Sequence, residues 1–133
     1  MKDWNAVNPV AVPACIRYYL RMIFDTHCHG YWRGLANRSA ELRENMRKEG
    51  VLRSVHIGTD LKTSWDSLDL ARAWCDGTWS SAGFHPTGCQ DLPPDSAQHY
   101  AEQLERLALG NRDTVVSIGE TGLDYFHMTR GRK

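Results

Sequence analysis

Four short apolar runs alternate along the chain with segments whose apolar residues recur at every third or fourth position. Apolar runs rich in β-branched residues are typical of strands, and the wider spacing is typical of helices. The predicted strands cover 23–29, 51–59, 79–84 and 115–119. The predicted helices cover 39–48, the segment from Ser64 to Trp74 or Cys75, and the segment that Pro93 opens and Gly110 ends. This alternation indicates a parallel sheet with right-handed crossovers, either an open sheet or half of a barrel.

The boundaries and apolar faces of the predicted helices follow from particular residues. Ser39 is predicted to cap the first helix, and Gly50 is predicted to end it. Trp65 and Leu68 are predicted to lie on the apolar face of the second helix. The third helix has the clearest apolar stripe, formed by Tyr100, Leu104, Leu107 and Ala108.

The first 21 residues do not follow this pattern, because Pro9 and Pro13 interrupt them and no clear period emerges. We therefore predict an irregular extension over 1–21, a domain over 22–126 and a divergent basic tail over 127–133. The 133 residues can form one domain with a modest core. A complete barrel of eight strand–helix units needs about 250 residues. If the repeats belong to such a barrel, we expect it to be truncated after the fourth strand.

The charge balance and the cysteines exclude several classes of protein. The chain contains sixteen basic and sixteen acidic residues, and this balance argues against a basic surface for non-specific nucleic-acid binding. The spacing of the four cysteines matches neither a CxxC pair nor a zinc finger, so we predict reduced thiols in a cytoplasmic protein. No apolar run approaches the length of a membrane span, and we predict no membrane partner.

His27 and His29 lie two residues apart at the end of the first predicted strand. Side chains at this spacing project from one face of a strand, so both imidazoles can reach one cation while Cys28 faces the other way. Imidazole nitrogens suit zinc and other transition-metal ions. Asp25 shares the predicted face and is a candidate to orient one of the histidines through a hydrogen bond without binding the metal itself.

The ends of the third and fourth predicted strands carry further candidates. Glu120 follows the fourth strand directly, so a parallel sheet would bring it to the same edge as the two histidines, where α/β folds build their sites. A shared carboxylate can bridge two cations about 3.5–4 Å apart. His85 follows the third strand and is a candidate donor to a phosphate oxygen or a proton-transfer group. Asp124 is a candidate to contact the substrate or to support the ligands.

Three motifs in this order resemble the TatD family of metal-dependent deoxyribonucleases. The stretch Met-Ile-Phe-Asp-Thr-His-Cys-His from Met22 is similar to the usual beginning of these proteins. Gly-Phe-His-Pro over 83–86 resembles the third-strand motif of the family, and the stretch 118–125 resembles its fourth-strand signature. The resemblance covers residues 22 to about 126 and implies an α/β fold whose parallel (β/α) repeats form about half of a TIM barrel.

The resemblance also implies a function. It implies an enzyme that hydrolyses phosphodiester bonds in DNA, with Mg, Zn or Mn as divalent metal ions and often two ions per site. In that interpretation His27 and His29 hold one metal, Glu120 bridges as ligand and catalytic carboxylate, and His85 acts near the scissile phosphate. A water activated by the metal would be the nucleophile.

The chain departs from the family pattern, and the departure leaves alternatives. The family takes two more histidines and an aspartate from strands beyond the four predicted here, so we expect weak metal binding and a truncated form that is less active or inactive. One alternative is a non-catalytic fragment or interaction module. Another is an amidohydrolase that acts on a small amide or ester. Open edges at the first and fourth strands also predict self-association, for example as a two-fold dimer that imitates eight strands.

Overall fold

The computed structural model describes residues 22–89 and 92–125 of the chain. Strands and helices alternate along it, with short 3₁₀ turns over Ala36–Arg38 and Pro94–Ser96. The elements in chain order are β1 (Ile23–Cys28), α1 (Ser39–Lys48), β2 (Val51–His56), α2 (Leu61–Trp74), β3 (Thr78–Ala82), α3 (Pro86–Cys89), α4 (Ala97–Gly110) and β4 (Val115–Ile118). The predicted extension over 1–21 and tail over 127–133 lie outside the described residues.

The four strands form one parallel sheet in the order β1-β2-β3-β4. In the register, Cys28 pairs with His56 near the carboxyl ends of β1 and β2, and Ala82 pairs with Ile118 at the ends of β3 and β4. Neighbouring strands are linked by right-handed crossovers when the sheet is parallel. All four carboxyl ends therefore lie along the same edge, as the alternating pattern predicted.

The first helix has the predicted bounds, but the prediction that Ser39 caps it is wrong. The capping position belongs to Arg38, whose side chain makes no capping hydrogen bond. Ser39 has helical dihedral angles, with φ at −60° and ψ at −36°, because the preceding 3₁₀ turn runs directly into α1. A capping residue needs a non-helical backbone, so Ser39 cannot serve. Gly50 follows the helix with a φ of +84°, as a terminating glycine does.

Helix α2 begins three residues before the predicted start. Asp60 caps it, because its Oδ1 atom accepts the Thr63 backbone N–H at 2.6 Å while Thr63 Oγ1 accepts the Asp60 backbone N–H at 2.8 Å. Trp65 was wrongly predicted to face the core, since 44% of it is exposed. The buried face of the helix is formed by Ser64, Ser67, Leu68, Ala71 and Trp74.

The apolar core lies between the helical layer and the side of the sheet that faces it. Leu68 of α2 and Leu107 of α4 pack there with Ala82 of β3 and Val115 of β4. Leu104 and Ala108 pack against this cluster, which confirms most of the predicted stripe on the third long helix. Within the described residues no helix combines the length and the apolar character needed to cross a membrane.

Candidate metal centre

Two histidines meet at the carboxyl end of β1. His27 is the penultimate residue of the strand, and His29 follows its last residue. The two imidazole rings are nearly perpendicular, with an interplanar angle of 77° and centroids 5.1 Å apart. The two rings therefore approach each other as the two-residue spacing predicts, and they form one side of the site.

Glu120 is brought to the same place by the backbone that follows β4. The Gly119 N–H donates to the Ala82 carbonyl at 2.9 Å, and the Glu120 N–H donates to the Gly58 carbonyl at 3.0 Å. The Ser81 hydroxyl donates to the Gly119 carbonyl at 2.5 Å. Hydrogen bonds to β3 and to the segment after β2 thus fix the backbone that leads into the Glu120 side chain.

This arrangement requires a glycine at position 83. A Cβ atom there would lie 2.2 Å from the Gly119 carbonyl carbon and 2.5 Å from the Glu120 nitrogen. Real Cβ atoms do not approach backbone atoms so closely, so Gly83 allows the end of β4 to lie directly against the end of β3.

The three side chains form a compact set of potential ligands. One atom from each of His27, His29 and Glu120 lies within 4.8 Å of the other two. The His27 Nε2 atom is 3.6 Å from Glu120 Oε2. Two imidazole nitrogens and a carboxylate oxygen are donors that zinc and manganese accept. The side chains predicted to converge at this edge therefore do so.

The hydrogen bonds of His29 leave one ring nitrogen free for a cation. Its Nδ1 atom lies 3.0 Å from the Ile57 carbonyl oxygen and 2.9 Å from the Tyr31 hydroxyl. The Tyr31 hydroxyl itself donates to the Ile57 carbonyl at 2.6 Å. A carbonyl only accepts, so Nδ1 carries the proton and the lone pair lies on Nε2. This is the pattern in which a backbone carbonyl orients a metal-binding histidine.

His85 approaches Glu120 from the end of β3. Its Nε2 atom lies 3.4 Å from Glu120 Oε1. The Thr87 backbone N–H donates to His85 Nδ1 at 3.2 Å, and the His85 N–H donates to the Thr59 carbonyl at 2.7 Å. The Thr87 hydroxyl also lies 2.7 Å from Nδ1. Because Nδ1 accepts the Thr87 N–H, the proton of the neutral ring lies on Nε2. The sequence indicated His85, but not the role of Thr87 in fixing its tautomer.

Comparison with known proteins identifies the family of this chain. The family model of TatD related DNase matches residues 24–133. The chain belongs to the TatD family. The family predicted from the three motifs is thus confirmed.

Two similar proteins show how much of the chain and of its relatives the similarity covers. An uncharacterized metal-dependent hydrolase of Mycoplasma genitalium is 30% identical over 106 residues, which cover 80% of this chain and 39% of that protein. The 3′-5′ ssDNA/RNA exonuclease TatD of Pectobacterium atrosepticum is 40% identical over 79 residues, which cover 57% of this chain and 27% of that protein. The chain therefore spans at most about two fifths of the length of these two relatives.

A solved structure supports the fold. The crystal structure of YJJV, a TatD homologue from Escherichia coli, superposes with a TM-score of 0.69 at 24% identity, over 80% of this chain and 39% of that one. The predicted fold class, parallel (β/α) repeats that form part of a TIM barrel, is confirmed.

The two predicted supporting aspartates occupy different surroundings in this TatD chain. The Asp25 carboxylate accepts the backbone N–H of His27 at 3.1 Å, so its hydrogen bond holds the strand end rather than an imidazole nitrogen. The pairing of β1 with β2 is irregular between Asp25 and Cys28, which changes the simple alternation of faces. Asp124 is half-buried in the segment after β4. The functional roles of both aspartates stay predictions.

A buried polar pair lies behind the candidate metal centre. His56 is fully buried, and its Nδ1 atom accepts the Gly30 N–H at 3.1 Å. Burial lowers the pKa of His56 to about 4. The Cys28 sulfur lies 3.5 Å from the same nitrogen, and burial, followed by the nearby Asp25 charge, raises the pKa of the thiol to about 12. Both groups are therefore neutral near pH 7, and neither adds charge to the ligand cluster.

A cavity of about 270 Å³ adjoins the candidate metal centre. Its wall includes Tyr31 and Trp32, whose rings lie perpendicular to the His29 ring at centroid distances of 5.8 Å and 5.6 Å. Sequence reasoning missed both aromatic residues. Their position immediately after the two histidines was the available signal, because a loop that follows a strand end borders the site built there.

Proposed function

We propose that this TatD chain is a metal-dependent hydrolase that cleaves phosphodiester bonds in DNA by a metal-activated water. The convergence of His27, His29 and Glu120 within 4.8 Å carries the proposal. When bound, a divalent cation supplies Lewis-acid polarisation of a phosphoryl oxygen and lowers the pKa of water. Mg, Zn and Mn are the candidates.

The donor set suits a catalytic rather than a closed structural site. Catalytic zinc sites take three protein ligands, often two histidines and one glutamate, and leave positions open for water and substrate. His27 and His29 with Glu120 supply such a set. The two oxygens of Glu120 face different histidines, since Oε2 is near His27 and Oε1 is near His85. This division supports the proposal of up to two ions at the site.

We assign to His85 the role of a donor to the substrate phosphate. Its proton lies on Nε2, and this nitrogen is 3.4 Å from Glu120 Oε1 at the mouth of the site. A phosphate oxygen placed beside the carboxylate would be within reach of the same N–H. The backbone N–H of Thr87 holds the tautomer that this donation needs.

The substrate class rests on the relatives. The Pectobacterium proteins are named ssDNA/RNA exonucleases, and the Mycoplasma protein is named a metal-dependent hydrolase. These names support a nucleic-acid substrate over the small amide or ester considered from the sequence. A cytoplasmic location and the division of the chain into 1–21, 22–126 and 127–133 stay predictions from the sequence.

The substitution Glu120→Gln tests the proposal, with Glu105→Gln on the exposed face of α4 as the matched control. We expect Glu120→Gln to weaken Mn²⁺ or Zn²⁺ binding in calorimetry by at least about tenfold, since even outer-sphere partners of a metal contribute this much. Metal-stimulated cleavage of a labelled DNA strand should disappear with it.

Three results would separate the alternatives. Hydrolysis of small amides or esters without cleavage of DNA would favour an amidohydrolase. A chain that binds metal and cleaves neither class of substrate would favour a non-catalytic module. Equal metal affinity in the Glu120 and Glu105 variants would contradict the site itself.

A further inference from the structure

We propose that Trp32 and Arg33 form a subsite for a nucleotide of a single strand, with the base stacked on the Trp32 indole and its phosphate paired with the Arg33 guanidinium. The inference rests on the proposed nuclease function, because it gives the cavity beside His29 a role in holding the same substrate.

The cavity has the size and the lining of a binding site for a small ligand. Its volume of about 270 Å³ is close to the lower end of typical ligand pockets. Tyr31 and Trp32 contribute aromatic wall, while Thr59 and Thr63 contribute hydroxyl groups. Mostly apolar walls with a few polar groups are what ligand pockets share.

Trp32 is unusually exposed to solvent for a side chain of its size. Its exposed fraction is 60%, although it is a large aromatic residue. Its backbone is nevertheless fixed, because its N–H donates to the His29 carbonyl at 3.1 Å and its carbonyl accepts the Leu35 N–H at 2.7 Å. An indole with an open surface on a hydrogen-bonded backbone can serve as a stacking platform, and stacking on an aromatic ring tolerates any base.

The charges that line the cavity favour an anion at one position. Lys62 is paired with Asp66, so these two side chains largely cancel. Arg33 has no ion pair within the part of the chain that the structure describes, and it follows Trp32 directly. A planar guanidinium pairs with phosphate through two parallel hydrogen bonds. Among the described residues that line the cavity, the Arg33 guanidinium therefore lies unpaired beside the exposed ring of Trp32.

The position of the cavity connects it to the proposed chemistry. The Trp32 and His29 ring centroids are 5.6 Å apart, and the Tyr31 hydroxyl lies 2.9 Å from His29 Nδ1. A base stacked on Trp32 would be a direct neighbour of the ligand cluster. A base in a duplex has both faces covered, so this mode requires a single strand.

Binding measured in EDTA tests the subsite without catalysis. The probe is a fluorescent single strand of about twelve nucleotides, followed by anisotropy. The variants are Trp32→Ala, Trp32→Phe and Arg33→Gln. The matched controls are Trp65→Ala, because Trp65 is 44% exposed on α2 outside the cavity, and Arg106→Gln on the exposed face of α4.

We expect Trp32→Ala to raise Kd by roughly tenfold, as loss of one base stack does, and Trp32→Phe to restore most of the affinity. Arg33→Gln should weaken binding and reduce the slope of log Kd against log salt by about 0.7, the value for one phosphate contact in a single strand. Trp65→Ala and Arg106→Gln should match the wild type. Affinity for a duplex of the same length should not depend on Trp32.

Equal effects of Trp32→Ala and Trp65→Ala would overturn the subsite, as would the absence of measurable single-strand binding. Binding that depends on Trp32 in a chain that cleaves no DNA would leave the subsite standing and remove the nuclease function. Cleavage that depends on Glu120, with KM unchanged in Trp32→Ala, would support the nuclease function and overturn the subsite.

Discussion

The Nε2 atom of His85 lies 3.4 Å from Oε1 of Glu120, and this contact joins the ends of β3 and β4. The other oxygen of the same carboxylate lies 3.6 Å from Nε2 of His27 at the end of β1. One glutamate therefore links histidines from two strands that are not neighbours in the sheet. Loss of either histidine should leave the Glu120 carboxylate in place but remove one of its two histidine contacts.

Replacement of His85 should separate catalysis from metal binding. We expect His85→Ala to lower kcat for DNA cleavage by about 10²-fold, within the usual range for a lost proton donor. Metal affinity should fall much less than in Glu120→Gln, because His85 is not among the three converging ligands. Steady-state cleavage and calorimetry measure the two effects.

His99→Ala is the matched control for His85, since His99 is an exposed histidine on α4. It should leave both kcat and metal affinity unchanged. A parallel fall of metal affinity and kcat in His85→Ala would contradict the separate role and make His85 a ligand.

A methyl group at position 83 should displace the end of β4. In Gly83→Ala the new Cβ would lie 2.2 Å from the Gly119 carbonyl carbon and 2.3 Å from its oxygen. We expect a loss of about 1–3 kcal/mol in the free energy of unfolding, as for an overpacked core, together with weaker metal binding because Glu120 moves. Denaturant unfolding and calorimetry give the two quantities.

Gly110→Ala is the control for this substitution, because a Cβ at Gly110 meets no heavy atom within 4 Å. Alanine should be neutral or stabilise α4 by up to about 1 kcal/mol. Stability and metal affinity equal to the wild type in Gly83→Ala would contradict the close packing of β3 against β4.

The sheet and its functional edge could be predicted from the sequence because they follow from simple periods. Residues two apart on a strand share a face, and parallel strands end at one edge, so His27, His29 and Glu120 could be brought together without coordinates. The strand positions are right to within a few residues. The predicted second strand continues to residue 59, whereas β2 ends at His56 and Gly58 instead accepts the Glu120 N–H.

The features that sequence reasoning missed depend on loops. The start of α2 follows from the reciprocal bonds of Asp60 and Thr63, a capping pair that the apolar period does not show. The cavity beside Trp32 exists because the loop after β1 turns toward the end of β2, and a contact of that kind has no period in the sequence. Thr87 contacts His85 Nδ1 through its backbone N–H and its hydroxyl, and no period in the sequence shows that this loop folds back onto the ring.

The stability of the fold should fall in mild acid because of His56. Burial lowers its pKa to about 4, and its Nδ1 lone pair accepts the Gly30 N–H, which protonation would disrupt. The unfolded chain binds a proton near pH 6.5, so between about pH 6.5 and 4 it holds more protons than the folded chain. Stability is therefore complete above about pH 6.5 and decreases as the pH falls toward 4.

The expected size of this effect can be measured by denaturant unfolding in EDTA. We expect the wild type to lose about 2 kcal/mol between about pH 7.5 and pH 5 through this residue alone. His56→Gln removes the titrating group and should flatten the dependence, whatever its own stability at pH 7.5. His99→Gln should keep the wild-type slope, and equal slopes in the wild type and His56→Gln would contradict the assignment.

The outer strands of the sheet predict self-association. In the described part of the chain β1 and β4 each have a strand neighbour on one side, and both carry exposed apolar residues. Ile23 is 49% exposed and Phe24 46% on β1, and Val116 is 51% exposed and Ile118 65% on β4. An unprotected apolar edge pairs readily with another strand. We therefore expect the mass measured by light scattering to exceed the 15.1 kDa of one chain and to rise with concentration.

A charge on the edge should reverse this association, because lysine on an edge strand opposes pairing. Ile118→Lys should move the measured mass toward that of one chain. Leu109→Lys is the matched control, since Leu109 is 52% exposed on α4 and lies away from the sheet edges. If the edges are the contact, this control keeps the mass of the wild type. A wild-type chain of monomeric mass at every concentration tested would rule out pairing through β1 and β4.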